Sequence, residues 1–306
     1  MIHVQRFLTE EQAEAKVKEG DAAFDAELER IYGDLLVSHG RFHGQAVKAI
    51  ALCGPTCAGK TTTAKKIAQY LERDGKRVHV ISIDDFYYDR EVLKARSQNG
   101  EIDFDSPGTI DVKELALTIR EIFDDDEDVV EVPTYDFLSG KRVEPRFIPM
   151  DERDIFIFEG IQVFYPEVYS LLSSYPVTTV YITAEKNIQS GSTTFHCVDI
   201  RLMRRIVRDY HRRSASPELT FELWNTVRQN ENDNIFPHSV NARIKINSTL
   251  CYEIGMLKPY LEEILPLVPD TSEYYDRAQD ILKKIADFSP IDKKYLSPDS
   301  LYHEFV

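Results

Sequence analysis

The sequence lacks the features of a secreted, membrane-spanning or nucleic-acid-binding protein. None of its apolar stretches is long enough to span a bilayer, and the N-terminus lacks the basic-then-apolar pattern of a signal peptide. The chain has 37 Lys and Arg residues against 52 Asp and Glu residues, which gives a formal net charge of -15. DNA and anionic membranes both repel such a chain. We therefore expect a cytoplasmic protein with no nucleic-acid partner and no membrane partner.

Cysteine is also scarce, since 306 residues include only four. Cys53, Cys57, Cys197 and Cys251 form no C-x-x-C pair, so we expect buried or incidental thiols in a reducing compartment. No internal repeat and no low-complexity linker is evident. Hydrophobic residues make up 42% of the chain, which is enough for a sizeable core.

One glycine-rich stretch carries a specific chemical signal. Residues 47–53 are mostly apolar and predict a buried strand, and apolar residues at helical spacing predict a helix over 60–74. The segment between them, GPTCAGKT, fits the phosphate-loop pattern G-x-x-x-x-G-K-[ST] without a mismatch. Its backbone N–H groups and the helix N-terminus would bind phosphate, Lys60 would reach the β- and γ-phosphates, and Thr61 would ligate Mg²⁺. The predicted nucleotide-binding residues are Gly54, Pro55, Thr56, Cys57, Ala58, Gly59, Lys60, Thr61 and Thr62.

Strands and helices alternate along the rest of the chain. This pattern predicts an α/β fold of the P-loop NTPase type, a doubly wound parallel sheet with helices on both faces. Strands are predicted at 47–53, 77–83, 129–132, 155–158, 177–183 and 243–246, and helices at 60–74, 115–123, 197–213, 216–230, 251–266 and 272–288. We expect a helical extension over 1–45, a P-loop kinase domain over 46–268 and a second helical extension over 269–306. The extensions would either pack on the domain or dock on a second subunit. The acidic run 124–128 is expected to be a solvated loop.

Acidic residues follow two of the predicted strands. Asp84 and Asp85 follow the strand after the phosphate loop, where either could accept a proton from an attacking hydroxyl or hold Mg²⁺ through water. Glu159 ends the strand 155–158 and suits a hard cation such as Mg²⁺. The alternative for Asp84 or Asp85 is a helix cap for the segment that follows, and the alternative for Glu159 is a polar strand end.

The helix over 197–213 carries a row of arginines. Arg201, Arg205, Arg208 and Arg212 fall at i, i+4, i+7 and i+11 and so share one face. Such a row could neutralise charge on a transferring phosphoryl group, or it could pair with acids on this acidic surface.

The ordered motifs resemble the uridine kinase family, in the wider group that includes phosphoribulokinase, and look most like a bacterial uridine-kinase-like branch. The resemblance covers about residues 47–267. The segments that carry it are GPTCAGKTT, SIDDFYYDR, DFDSPGTID, PTYDFLSGKR, FEGI, DIRLMRRIVRDY, LWNTVRQNENDNIFP and INSTLCYEI. It implies a kinase that uses ATP and Mg²⁺, has a helical lid, and transfers the γ-phosphoryl group to a hydroxyl of a nucleoside such as uridine or cytidine.

The resemblance also implies a role for individual residues. Asp84 would be the catalytic base, Asp105 would hold the ribose hydroxyls, and Glu159 would lie near Mg²⁺. The expected acceptor-binding residues are Asp84, Tyr87, Asp105, Tyr135, Phe137, Arg205, Arg208 and Arg213, and the expected catalytic residues are Lys60, Asp84, Arg205 and Arg208. From the residues alone, aromatics such as Tyr135 and Phe137 are more often part of a core.

Two positions depart from the pattern of the pyrimidine nucleoside kinases. Gly140 occupies the place of the histidine that reads the pyrimidine edge, and the lid's Arg-Gly-Arg reads Arg213-Ser214-Ala215 here, so that Ala215 replaces the second arginine. The alternatives are a kinase for a non-nucleoside alcohol, a P-loop NTPase and a nucleotide-binding regulator. Neither the N-K-x-D motif of GTPases nor an ABC-type signature is present. A homo-oligomer is possible.

Overall fold

The computed structural model describes residues 1–37, 47–97, 102–124 and 128–306. The strands are β1 (Ile2–His3), β2 (Ala49–Cys53), β3 (Arg77–Ser82), β4 (Val129–Asp136), β5 (Lys141–Pro149), β6 (Asp154–Glu159), β7 (Val177–Thr183), β8 (Ile188–Ser190), β9 (Thr193–Phe195) and β10 (Ile244–Asn247). The helices are α1 (Glu10–Val37), α2 (Lys60–Arg73), α3 (Arg90–Arg96), α4 (Val112–Phe123), α5 (Pro166–Leu172), α6 (Cys197–Arg213), α7 (Pro217–Asn230), α8 (Glu253–Ile264) and α9 (Tyr275–Ile285).

The described strands include a five-stranded sheet in the order β10–β7–β2–β6–β3, with every neighbouring pair parallel. The strand before the phosphate loop, β2, lies at its centre. In the register, both Leu52 of β2 and Ser82 of β3 pair with Glu159 of β6. The carboxyl ends of these three strands therefore meet at one edge of the sheet, where open α/β folds bind ligands.

Helices cover both faces of the sheet. Ile50 and Leu52 of β2 belong to the apolar cluster that includes residues of α1, α2 and α6 to α9. Ala49, Ala51 and Cys53 point the other way, into a cluster with α4 and α5. Every residue of β2 is buried, as expected for a strand covered on both faces. The predicted α/β fold with a doubly covered parallel sheet is confirmed.

Several elements differ from the sequence prediction. The strand predicted at 129–132 is longer and pairs with β5 in an antiparallel hairpin, which the sequence pattern did not predict. The helix predicted at 115–123 begins at Val112, because the Asp111 side chain caps it by accepting from the Glu114 N–H. The short helices α3 and α5 and the small sheet β1–β8–β9 were not predicted. Most of the acidic run, 125–127, lies outside the described residues.

The segments at both ends pack against the α2 side of the sheet. The buried Lys66 ammonium of α2 contacts Asp25 of α1 at 2.6 Å and Asp299 at 3.2 Å. Asp21 of α1, also buried, accepts hydrogen bonds from the Ser297 and Ser300 hydroxyls, both at 2.9 Å. The two ends are thus tied to each other and to the helix that follows the phosphate loop. Within the described ranges, no helix combines the length and apolar character that a membrane crossing requires.

Candidate active site

The phosphate loop adopts the strand–loop–helix arrangement that the sequence predicts. It leaves β2 at Gly54 and enters α2 at Lys60. A Cβ on Gly54 would lie 2.2 Å from the Ile182 carbonyl oxygen, so only glycine fits there. Gly59 has φ +93°, which side chains rarely adopt, and a Cβ there would also meet Leu301. Lys60 folds back over the loop and donates to the Pro55 carbonyl at 3.2 Å.

The loop opens into a cavity of about 620 Å³ at the carboxyl edge of the sheet. Its lining comes from the end of β6, from the segments that follow β3, β4 and β6, from residues 104–105, from α6 and from the C-terminal segment, as well as from the loop. The lining residues are Thr56, Cys57, Lys60, Thr61, Asp84, Tyr87, Phe104, Asp105, Phe137, Leu138, Glu159, Gly160, Ile161, Arg205, Arg208, Arg212, Arg213 and Glu304. The structure therefore brings most of the predicted site residues around one cavity.

The two neighbouring aspartates after β3 have different surroundings. Asp84 lines the cavity, and the Gln162 amide donates to its carboxylate at 2.7 Å. Asp85 instead accepts from the Tyr135 N–H and from the Arg146 guanidinium, both at 3.2 Å. Asp85 thus anchors the β4–β5 hairpin, and Asp84 is the member of the pair that a reacting hydroxyl can approach.

Gln162 is a site residue that the sequence analysis missed. Its amide nitrogen bridges Asp84 and the Tyr87 hydroxyl, at 2.7 Å and 2.8 Å, while its buried Oε1 has no partner within the described residues. A Cβ on Gly160 would lie 2.6 Å from this Oε1, so the glycine of the Glu-Gly pair makes room for the amide. Its position two residues after the Glu-Gly pair was the available signal.

Glu159 lies half-buried beside the phosphate loop. Burial raises the pKa of its carboxyl to about 7, and the Lys60 ammonium acts in the opposite direction. Thr61 lines the same cavity. No cluster of three or more His, Cys, Asp or Glu side chains suited to a metal occurs in the described part of the chain. Since Mg²⁺ at phosphate sites takes one or two protein oxygens and the rest from phosphates and water, Thr61 and Glu159 form a donor set that fits it.

The acceptor side of the cavity combines an acid with aromatic rings. Burial raises the pKa of Asp105 to about 6, against the effect of the Arg205 guanidinium. The Tyr87 ring lies edge-on to Phe104 and Phe137, with centroids 5.7 Å and 6.2 Å apart. Tyr135 is buried behind them, packed on Phe137 at 5.2 Å, with no partner for its hydroxyl in the described residues. Of the two predicted aromatics, Phe137 lines the cavity and Tyr135 supports it.

The arginine row of α6 divides between two environments. Arg205 and Arg208 line the cavity and contact Asp209 at 3.1 Å and 2.7 Å, yet Arg205 Nε and Arg208 Nη2 make no well-aligned hydrogen bond in the described structure. Arg208 Nε also donates to Asp209, at 2.8 Å, so Asp209 holds both guanidinium groups at the cavity, where their positive charge fits an anionic ligand. Arg213 lies at the cavity and 3.6 Å from Asp209. Of the two alternatives for the row, Arg201 follows the second, because its guanidinium pairs with the Glu231 carboxylate, in the interior and not at the surface.

The C-terminal segment, residues 300–306, also contributes to the site and was not predicted to do so. Leu301 packs on Gly59, and the Glu304 carboxylate accepts from the Thr62 hydroxyl at 3.3 Å. Arg212 of α6 donates to the His303 carbonyl. The segment therefore covers the loop on the side of α2.

Comparison with known proteins agrees with this geometry. The model of the phosphoribulokinase/uridine kinase family matches residues 49–254, about two thirds of the chain. This chain belongs to that family. Family membership confirms the resemblance inferred from the motifs and, with it, the class of reaction: ATP-dependent phosphotransfer to an alcohol.

Named relatives within the phosphoribulokinase/uridine kinase family are distant. The chain is 29% identical over 188 residues to uridine-cytidine kinase 2-B of Danio rerio, covering 58% of this chain and 64% of that protein. It is 29% identical over 206 residues to uridine-cytidine kinase B of Dictyostelium discoideum, covering 67% and 76%. It is 28% identical over 179 residues to a uridine kinase of Clostridium botulinum, covering 58% and 76%.

Gly140, where the resemblance led us to expect a histidine, has a distinct geometry. Gly140 has φ +70°, and a Cβ on it would lie 2.6 Å from the Arg90 Nε. Arg90 donates to the Phe137 carbonyl at 2.8 Å and so holds the aromatic segment. Arg90 thus takes space that a side chain at position 140 would need.

Proposed function

We propose that this protein is an ATP- and Mg²⁺-dependent kinase that phosphorylates a hydroxyl of a small molecule, with the 5′-hydroxyl of uridine, cytidine or a related nucleoside as the leading acceptor. The observation that carries the proposal is the shared cavity, in which Asp84 faces the phosphate loop and Arg205 and Arg208 line the wall. A binder of nucleotide alone needs the loop but not a carboxylate placed for an acceptor.

In the proposed reaction the Asp84 carboxylate takes the proton of the acceptor hydroxyl. The hydroxyl oxygen then bonds to the γ-phosphorus, and the bond from that phosphorus to the bridging oxygen breaks to release ADP. Gln162 holds the Asp84 carboxylate in place at 2.7 Å. Because phosphoryl transfer needs little covalent help, positioning and charge neutralisation do most of the work.

Positive side chains surround the expected path of the phosphoryl group. Lys60 comes from the loop, and Arg205 and Arg208 come from α6. Each arginine already contacts Asp209, which fixes its direction before ligand binds. Mg²⁺ held by Thr61 and Glu159 would further neutralise the phosphate oxygens. These groups stabilise the negative charge that spreads over the transferring group.

A nucleoside fits the acceptor side by its chemistry. Asp105 can accept hydrogen bonds from ribose hydroxyls, and the exposed face of Phe137 can cover a base. Gly140 has no side chain that could contact the edge of a pyrimidine, which weakens the case for a pyrimidine acceptor. A kinase for a non-nucleoside alcohol is therefore the second candidate, and it shares all the phosphate chemistry.

The test is ADP release from purified protein with ATP and Mg²⁺ across a panel of nucleosides and small sugar alcohols. Stimulation by uridine or cytidine would support the leading acceptor. Stimulation by another alcohol would keep the kinase and replace the acceptor. Release that ignores every acceptor would favour an NTPase, and ATP binding without release would favour a regulator.

A further inference from the structure

The phosphate loop contains a residue in an unfavourable backbone conformation. Cys57 has φ +55°, and the only other non-glycine residue with positive φ in the described ranges is Ser214, which ends α6. An L-residue with a side chain loses roughly 1–2 kcal/mol in this region. Such a conformation persists only where the surrounding structure enforces it.

Two buried arginines of α6 hold the peptide groups on either side of Cys57. Arg201 Nη1 donates to the Thr56 carbonyl at 3.1 Å, and Arg204 Nη1 donates to the Cys57 carbonyl at 3.1 Å. In a trans peptide the C=O and the following N–H point in opposite directions. Holding these carbonyls toward α6 therefore turns the N–H groups of Cys57 and Ala58 away from α6, as a phosphate-binding loop requires.

Each arginine is itself fixed by a buried carboxylate. Arg201 makes two hydrogen bonds to Glu231, at 2.6 Å and 2.8 Å, and both side chains are 2% exposed. Arg204 makes two to Glu253, at 2.9 Å and 2.7 Å, and both are fully buried. The paired geometry leaves each guanidinium little freedom to leave its carbonyl.

The Arg204–Glu253 pair also reaches the C-terminal segment. The Tyr302 hydroxyl donates to Glu253 at 2.7 Å, and the Phe305 ring lies 4.8 Å from the Arg204 guanidinium carbon. Arg204 further donates to the Ser248 carbonyl at 2.7 Å. Buried ion pairs add little net stability compared with apolar packing, so stability alone does not account for this arrangement.

We propose that Arg204–Glu253 and Arg201–Glu231 are positioning pairs that hold the phosphate loop in its anion-binding conformation, with Cys57 left-handed. The inference rests on the proposed function, in which the loop binds ATP. Arg201 and Arg204 do not line the cavity, whereas Arg205 and Arg208 on the same helix do. One helix thus both shapes the loop and presents cations to its ligand.

The test measures the ATP dissociation constant by calorimetry for R204M, for C57G and for the double variant. Glycine adopts positive φ without a steric penalty, so in C57G the arginines are no longer needed to hold residue 57 in the left-handed conformation. We expect R204M to weaken ATP binding about tenfold or more alone, but threefold or less in the C57G background. R204K keeps the positive charge opposite Glu253, so we expect a smaller loss of ATP affinity, which C57G should again reverse. R204K replaces R204M in the test if R204M does not fold.

R77M is the matched control. It removes a guanidinium–carboxylate pair, Arg77 with Asp154 at 2.6 Å, from the end of β3 opposite the site, and should leave the ATP dissociation constant unchanged. Equal losses of affinity with and without C57G would overturn the inference, as would a lower melting temperature with unchanged ATP affinity. Because binding is read without acceptor, failure of the kinase proposal alone would appear as ATP binding without turnover. A wild-type protein that binds no ATP would overturn both.

Discussion

The carboxylate of Glu304 lies 3.3 Å from the hydroxyl and 3.5 Å from the backbone nitrogen of Thr62, in the first turn of α2. These donors belong to the helix N-terminus that follows the phosphate loop, where free N–H groups and the helix dipole favour anions. An acidic side chain from the C-terminal segment therefore occupies donors that a nucleotide phosphate would use.

Replacing this carboxylate is expected to strengthen ATP binding. E304Q keeps the shape of the side chain but removes a negative charge from a site for a polyanion. For a partly exposed charge the gain is about 1 kcal/mol, which corresponds to a roughly fivefold lower KM for ATP. The measurement is KM for ATP at fixed acceptor, compared with E263Q, which changes the charge equally at an exposed position of α8. A higher KM in E304Q would show that Glu304 contacts the nucleotide favourably instead.

Removing the proposed base should separate turnover from binding. D84N keeps the size of the side chain but cannot accept the hydroxyl proton, so we expect kcat to fall at least ~100-fold with little change in ATP affinity. D85N is the neighbouring control, because Asp85 binds the hairpin through Tyr135 and Arg146. D85N should lower the melting temperature and leave kcat within a few-fold of wild type. Turnover of D84N within a few-fold of wild type would remove Asp84 from this role.

The raised pKa of Asp105 predicts that the stability of the folded protein depends on pH. Its folded-state pKa of about 6 lies above its ordinary value of 3.8 because of burial. The folded protein then binds more protons than the unfolded chain between these values, so stability is lost as pH rises from about 4 to 6, by at most about 3 kcal/mol. Thermal melts of ligand-free wild type and D105N should diverge in that window and run parallel above it.

The Asp105 carboxyl should also make acceptor binding depend on pH, but here the higher pH is the favourable one. Only the ionised form accepts hydrogen bonds from two hydroxyls, so KM for a nucleoside acceptor should rise as pH falls below about 6. Kinetics at saturating ATP between pH 5 and 8 would show this effect. A KM that is flat over that range would separate Asp105 from the acceptor.

Restoring the family's histidine at position 140 should not restore pyrimidine reading. G140H places a side chain at φ +70° and against Arg90, so we expect a loss of about 1–2 kcal/mol in stability and no gain in kcat/KM for uridine. Urea unfolding and the panel assay measure the two effects. A gain for uridine would mean that the turn rearranges to admit the ring, and G140A, with the same backbone penalty, shows the cost of the turn alone.

The segments of the candidate site that depend on local sequence lie where the sequence pattern placed them. The phosphate loop, the bounds of α6 and the carboxylates that end β6 and follow β3 all lie within a few residues of a periodic apolar pattern. Parallel pairing then brings Glu159 beside Ser82, two residues before Asp84, without further information. Local apolar patterns, together with the rule that parallel strands end at one edge of the sheet, were enough to place these residues.

The missed parts depend on residues far apart in the chain. The spacing places Arg201 on the same helix face as Arg205. Arg201 is nevertheless buried because it pairs with Glu231, 30 residues later in the chain. Strand β5 contains two prolines and several charges, Lys141–Pro149, and only its pairing with β4 makes it a strand. Glu304 carries no motif, and Gln162 only follows the Glu-Gly pair, so the folded geometry was needed to assign both residues to the site.

The bond between Thr62 and Glu304 spans 242 positions of the chain. During synthesis the ribosome makes the phosphate loop long before it makes the segment that covers it. A chain that stops, or is cut, shortly before Leu301 would keep every nucleotide-binding motif and yet lack the contacts on Gly59, Thr62 and Glu253. Nascent or clipped molecules would then differ from the 306-residue chain at the donor site itself, and ATP affinities measured on such material would not apply to that chain.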